Sequence, residues 1–412
     1  MATVRTPNGM DVHHNLTGHT AVVREGPDHS RVVAERGDRG YVQHAYSYRG
    51  NNFAARTYFV GGRIHESFYR GYAFRGAYLD VYAPARFYGV GFYGWAYNPW
   101  AAPITFGWGW GGNPWYGYYG GFFTPYPVYA SASFWLTDYL ISQSLADAYQ
   151  QQQAAGIALN SPIPAGQVVL TPDVKQAIAD EVRAQIALET AEAQTNAQNG
   201  VPDPASSGIA RMLSDNQQHA FVVGDVLDLV DSSGQACAVT EGDVLQLTQP
   251  PPADAAAVTM VVMASKGGIE CRKGTAVQVA LADLQNMQNH MRETLDAGLA
   301  DLQAHQGGLP TPPQSALAAA TPAAFTMGAP PPDQTVSSQI NQQYQQGTQA
   351  EQATLSAAPA PATATITLGQ TTDQVLGILG QPKSMVDLGA KKIYVYQDLK
   401  ITFNNDQVSD VE

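Results

Sequence analysis

The sequence predicts a multidomain α+β protein: an N-terminal antiparallel β meander rich in Gly, Tyr and Trp, a small β-barrel flanked by helices, and a C-terminal helix plus three-stranded sheet. Three observations predict it. Short β-type runs separated by turn residues fill the first third of the chain. In the middle, apolar residues recur at helical spacing, then alternate, then return to helical spacing. Pro-, Ala- and Gln-rich stretches then isolate the C-terminal residues. With 412 residues, 44% hydrophobic and only 14% charged, the chain can build several cores and still leave sequence for connectors. The expected division is 1–130 for the β module, 131–200 for a helical segment, 206–306 for the barrel with its helices, 307–363 for a linker and 364–412 for a last domain.

The β module begins with TAVVRE and RVVAER on either side of GPDHS, a turn cluster of Gly, Pro, Asp and Ser. YVQHAYSY, NFAARTYFV, RIHESFYR and AYLDVYA follow, divided by Arg49-Gly50-Asn51, Gly61-Gly62 and the Gly71 to Gly76 stretch. Consecutive hairpins are the simplest reading. Before them, Asp11, His13, His14 and His19 lack metal-ligand spacing and read as a solvated arm.

All six tryptophans lie between Trp95 and Trp135, and GWAYNPW (94–100) is echoed by GWGGNPW (109–115). Proline fixes its own φ and drives the preceding Asn out of the helical region, so each copy bends the chain and presents two indoles. Trp95, Trp100, Trp108, Trp110 and Trp115 are therefore the candidate binding residues. They either bury as the core of a module poor in Leu and Ile, or stay open as platforms for sugars, aromatic chains or a membrane surface.

SASFWLTDYLISQSLADAYQQQQ reads as a helix. A second is expected after Thr171, an N-cap followed by Pro172 at the first helical position, with Val174, Ile178, Val182 and Ile186 in one stripe. Between Ala220 and Leu281, several short strands in quick succession suggest the small barrel. A third helix places Leu281, Leu284, Met287, Met291, Leu295, Leu299 and Leu302 on one face, a core stripe. The strand rhythm of this region resembles bacterial Src-homology-three-like barrels, which implies binding of peptides or cell-wall material. Cys237 and Cys271 are the only cysteines, each near Gly in β-type sequence. They are read as a disulfide that would stabilise by about 3–4 kcal/mol through loop closure.

Of the linker, GGLPTPPQSALAAATPAAFTMGAPPPDQ and SAAPAPATAT are expected to be mobile or extended, with a polar helix between them. In the tail, Leu368-Gly369-Gln370-Thr371, Val375, Leu379-Gly380-Gln381-Pro382, Tyr394 to Tyr396, Ile401-Thr402-Phe403 and Val408 follow one another in order. This pattern resembles the SmpA/OmlA family, the BamE-like outer-membrane assembly lipoproteins. The resemblance implies an envelope location and a binding role. The family's lipidated N-terminal Cys has no counterpart in this sequence.

Charge is uneven: residues 1–130 carry eleven Arg against seven acids, whereas the whole chain has a formal charge of −13. That balance argues against a nucleic-acid partner. No apolar run reaches membrane-spanning length, so only peripheral membrane association is expected. The first twenty residues lack an export signal's basic start and apolar middle. The expected location, periplasm, outer-membrane periphery or cell exterior, thus rests on the cysteines and the tail. With no nucleophile elbow, phosphate loop, dinucleotide fingerprint or metal spacing, the chain is read as no enzyme, without metal or cofactor. The expected function is a non-catalytic envelope or extracellular binding and assembly protein, with envelope proteins or glycan as partners. The alternative is a self-associating subunit of a homo-oligomer or fibre.

Overall fold

The computed structural model describes residues 2–412 except 157–158, 160–162, 164–169, 199, 268–269, 305–311, 313–315, 317–318, 358–365, 383, 388–390 and 397–398. It divides into two compact units, Met1–Glu351 and Gln352–Glu412.

Eight strands open the first unit: β1 (Ala2–Arg5), β2 (Met10–His14), β3 (Thr20–Glu25), β4 (Arg31–Glu35), β5 (Arg39–Tyr48), β6 (Asn51–Val60), β7 (Arg63–Phe74) and β8 (Ala77–Ala83). Each pairs antiparallel with the next, so the expected meander is present, with two more strands at its start. The register runs straight across the long strands, Gln43 opposite Arg56 and Arg56 opposite Ser67. Three two-residue turns set it. Arg49-Gly50, Gly61-Gly62 and Arg75-Gly76 hold both central residues at positive φ, the twist that two-residue hairpins need. The N-terminal histidines are not a solvated arm. His13 and His14 lie on β2, and His14 bonds Thr20 and Glu351 through its two ring nitrogens. Met10 and Val12, both fully buried on either side of Asp11, show the period-2 alternation that pulls the segment into the sheet.

The chain continues through β9 (Arg86–Phe87), α1 (Val90–Tyr97), α2 (Pro114–Tyr119), α3 (Ala132–Ala154), α4 (Pro172–Ala197) and two single turns, α5 (Pro204–Ser207) and α6 (Ile209–Met212). The stripe Val174, Ile178, Val182 and Ile186 is buried on α4. Six strands follow: β10 (His219–Val222), β11 (Leu227–Asp231), β12 (Ala236–Val239), β13 (Val244–Leu247), β14 (Ala257–Ala264) and β15 (Ala276–Ala280). Their order is β10-β13-β14-β15-β11-β12, and the outer strands do not pair with each other. The expected barrel is therefore an open sheet. Its inner face is covered by α4 and by α7 (Leu281–Gln303), so closure on itself is not needed to bury it. All seven residues of the α7 Leu/Met stripe are buried. Cys237 on β12 and Cys271 form the disulfide, with Cα atoms 4.9 Å apart. Beside it the Cys271 amide donates to the Ala238 carbonyl at 2.7 Å.

One continuous apolar core runs from Phe53 of the meander through α1, α3, α4 and α7 into the second sheet. Most of the expected Pro/Ala linker between 305 and 318 lies outside the described residues, as does 358–365. The part that follows 318 is docked. β16 (Thr321–Pro322) pairs with β9, and Phe325, 1% exposed, stacks on Phe53 at 4.7 Å. A single large ring suffices to hold an extended Pro-rich segment that has little backbone entropy left to lose. The expected polar helix is α8 (Val336–Ala357). Val336 and Ile340 pack with Ala34 and Val42, and Gln343 donates to the carbonyls of Val22 and Val32.

The second unit holds α9 (Thr372–Leu379) and an antiparallel sheet of β17 (Ser384–Asp387), β18 (Lys391–Val395), β19 (Lys400–Asn404) and β20 (Gln407–Val411). Thr371 and Gln374 form a full capping box at the start of α9. The sheet has four strands where three were expected. β17 has half-exposed apolar residues and no clean alternation, which hides a short edge strand from a pattern reading. Val375, Tyr394, Ile401, Phe403 and Val408 make this unit's own core.

Candidate functional site

The two GW–x–x–NPW copies have opposite roles. In the first, Asn98 ends α1: its amide and its side-chain nitrogen both donate to the Gly94 carbonyl. In the second, Asn113 begins α2, with Pro114 at the first helical position and the Asn113 carbonyl accepting from Tyr116 and Gly117. The extended backbone that proline imposes on the residue before it suits either end of a helix. Each copy packs its two indoles on each other. Trp95 and Trp100 are stacked at 5.4 Å, and Trp110 meets Trp115 edge-on at 5.2 Å.

Trp100 is buried; Trp95, Trp108, Trp110 and Trp115 are half-buried against the core. A stack of near-parallel rings runs Trp110, Trp108, Trp135, Tyr139, with centroids 4.4, 5.0 and 5.1 Å apart. It is anchored in charge. Trp108 Nε1 donates to Tyr129 Oη at 2.6 Å, Tyr129 Oη donates to Asp138 at 2.8 Å, and Asp138 pairs with Lys175 at 2.6 Å. Burial drives the Asp138 carboxyl up and the Lys175 ammonium down from their ordinary ranges, each charge partly restoring the other. The lone acid of FWLTDYLI is thus a fixed joint under the rings.

Beside the stack lies a groove of about 250 Å³ lined by Phe106, Trp108, Trp110, Trp135, Tyr139, Gln143 and Asp301. Phe106 stands edge-on to Trp108 at 4.8 Å, and Tyr139 and Asp301 share the groove wall. Trp135 Nε1 is buried there without a hydrogen-bond partner. Of the five candidate residues, the structure brings Trp108 and Trp110 to this groove and leaves Trp95, Trp100 and Trp115 off it.

Tyr139 and Gln143 also line a second, larger space of about 780 Å³ between the meander, α3 and α7, which the sequence reading missed. The meander contributes Arg56, held by Gln43 at 2.6 Å and Asp80 at 2.8 Å and lying 3.8 Å from the centre of the Tyr69 ring. Tyr58 and Tyr69 share a hydrogen bond of 2.7 Å, and Tyr69 donates to Glu293 of α7. Tyr82 donates to Asp296 at 2.6 Å. Burial pushes Glu293 up to about 7 and Asp296 up to about 6. On the far side, Asp225 is raised to about 6, by burial and then by Glu35. Burial opposes the charge on Glu35 too, but His19 and Arg39 hold its carboxyl below the usual range. The only signal in the sequence was the polar face of α7, where Asp283, Asn286, His290 and Glu293 recur at steps of three and four.

His290 and Ser144 lie 2.9 Å apart, a spacing that invites a nucleophile reading. Ser144 donates its only proton to the Leu140 carbonyl, so it accepts from His290 Nε2–H and is not activated. Burial, with Arg39 nearby, pushes His290 down to about 4, and it is neutral. Among the described residues no group of three or more His, Cys, Asp or Glu is placed to hold a metal, and no helix is long and apolar enough to cross a membrane. No family model matches the chain, and neither a curated protein nor a solved structure does.

Proposed function

We propose that this chain is a non-catalytic binding protein of the cell envelope or cell exterior that takes a saccharide unit of a glycan on the aromatic groove. The observation that carries this reading is the composition of the groove: aromatic rings beside an amide, Gln143, and a carboxylate, Asp301. Rings bury the C–H face of a pyranose, while the amide accepts from and donates to its hydroxyls and the carboxylate accepts from them. The disulfide supports an oxidising compartment. The order of α9 and the antiparallel strands after it supports an SmpA/OmlA-like tail, and with it a place at the outer-membrane periphery.

The test is tryptophan emission of the full chain titrated with soluble cell-wall glycan and neutral oligosaccharides. A saturable change is expected, weakened about tenfold or more in Trp110→Ala. Emission that no glycan alters would reject the reading. The second reading, a self-associating subunit, draws on the outer edge of β1, which among the described residues pairs with β2 alone and so offers an edge to another strand. Light scattering across a dilution series decides it, a constant monomer mass counting against it.

A further inference from the structure

The walls of the larger cavity carry more carboxyl groups than arginines to pair with them. Seven carboxylates line it: Glu35 and Glu66 from the meander, Asp147 from α3, Asp225 from the loop before β11, and Asp283, Glu293 and Asp296 from α7. Facing them are four arginines and no lysine. Two of the arginines are already engaged by acids outside the walls, Arg31 by Glu25 at 2.9 Å and Arg56 by Asp80 at 2.8 Å. Arg39 is taken by Glu35 at 3.2 Å. That leaves Arg86 on the walls, with Arg292 behind Asp296, to face the other six carboxylates, which outnumber the cations near them. Of the wall histidines, burial holds His13, His65 and His290 below their ordinary range, and only His19 is drawn up, by Glu35. Acceptors are left over as well: Asp296 Oδ1 and Glu66 Oε1 receive no hydrogen bond.

Unpaired carboxylates away from bulk water are costly, and a cavity of this size is within the usual range for a small-molecule site, about 300–1,000 Å³. The acids are spread around the walls and not focused on one point, so an extended ligand with several N–H donors satisfies more of them than a single ion. Tyr58, Tyr69 and Tyr82 add aromatic surface to the walls. We propose that this cavity is a binding site for a small organic cation carrying primary ammonium groups, either a linear polyamine or an amino sugar. It is a site separate from the saccharide groove, although Tyr139 and Gln143 border both.

Calorimetric titration of the full chain with spermidine, with glucosamine and with the neutral control N-acetylglucosamine tests it. Saturable one-to-one binding of at least one amine is expected in the wild type and in Trp110→Ala alike, whereas the control, which the groove takes in the wild type, should not bind Trp110→Ala. Spermidine alone binding identifies a linear polyamine as the ligand class, glucosamine alone an amino sugar. Asp283→Asn, whose carboxyl has no hydrogen-bond partner among the described residues, and Glu293→Gln should each weaken binding about tenfold, and Trp110→Ala should leave it unchanged. Glu293 is faced by Arg56 and Tyr58 from β6, Ser67 and Tyr69 from β7 and Asp296 from α7. Binding should therefore be tighter at pH 7 than at pH 5, where that carboxyl is protonated. Failure of both amines to bind at millimolar concentration, equal binding of N-acetylglucosamine to Trp110→Ala, or loss of amine binding in Trp110→Ala but not in the two acid variants would each overturn the proposal. The last outcome would move the ligand to the groove.

Discussion

Arg292 shows what a buried charge costs once its partner is removed. Its side chain is fully buried, pairs with Glu192 at 2.6 Å, donates to the Tyr82 carbonyl at 3.1 Å and lies over the Tyr82 ring. Arg292→Met removes the cation and leaves Glu192 uncompensated, so it should cost about 3–5 kcal/mol in urea unfolding. Arg292→Met with Glu192→Leu should regain most of that loss. Glu293 offers a different measurement. Its native carboxyl titrates near 7, above the unfolded value, so between those values the folded state binds more protons than the unfolded one. Its contribution to stability is full at low pH and lost as pH rises through about 7. Wild type should accordingly lose stability relative to Glu293→Gln between pH 5 and pH 8, measured as the difference in unfolding free energy. These residues were not legible beforehand. A charged side chain in an amphipathic helix has the same sequence signature whether it meets water or another wall of protein, as the polar face of α7 shows.

At the scale of elements, local chemistry was a good guide wherever turns or caps are strong. β3 to β8 lie where alternation and Gly-bearing turns placed them, and α3, α4 and α7 where helical spacing did. β1 and β2 were missed because their turns, around Gly9 and Gly18, leave runs of only four and five residues, too short for their alternation to stand out. α8 depends on a close approach. A Cβ on Gly347 would sit 2.3 Å from Val22 Cγ1, inside contact distance. Alanine is favoured over glycine in a helix by about 1 kcal/mol. Here the clash outweighs that preference, and Gly347→Ala should speed hydrogen exchange throughout α8 and β3. The disulfide joins residues 34 apart in sequence. Cys237→Ser with Cys271→Ser should lower stability by about 3–4 kcal/mol, read from denaturant midpoints at constant slope.

Across the whole molecule, the two units have separate cores. Ile401 is fully buried in the second unit. Ile401→Ala should cost that unit about 2–5 kcal/mol, shifting one calorimetric transition while the transition of residues 1–351 stays in place. A single merged transition that moves as one would contradict independent folding. Within the first unit, meander, helices and second sheet share one apolar interior, and both the groove and the cavity sit where those layers meet.

From its sequence alone the chain determined its hairpins, its long helices, the bends at each Asn-Pro and the pairing of its two cysteines. Those features depend on neighbours a few residues apart, or on having only one partner to choose. Tertiary structure alone decided that the middle strands stay open under helices, that a Pro-rich segment docks through Phe325, and that acids from Glu35 to Asp296 surround one cavity. Such outcomes depend on which faces meet, and side chains hundreds of residues apart leave no periodic trace of that meeting.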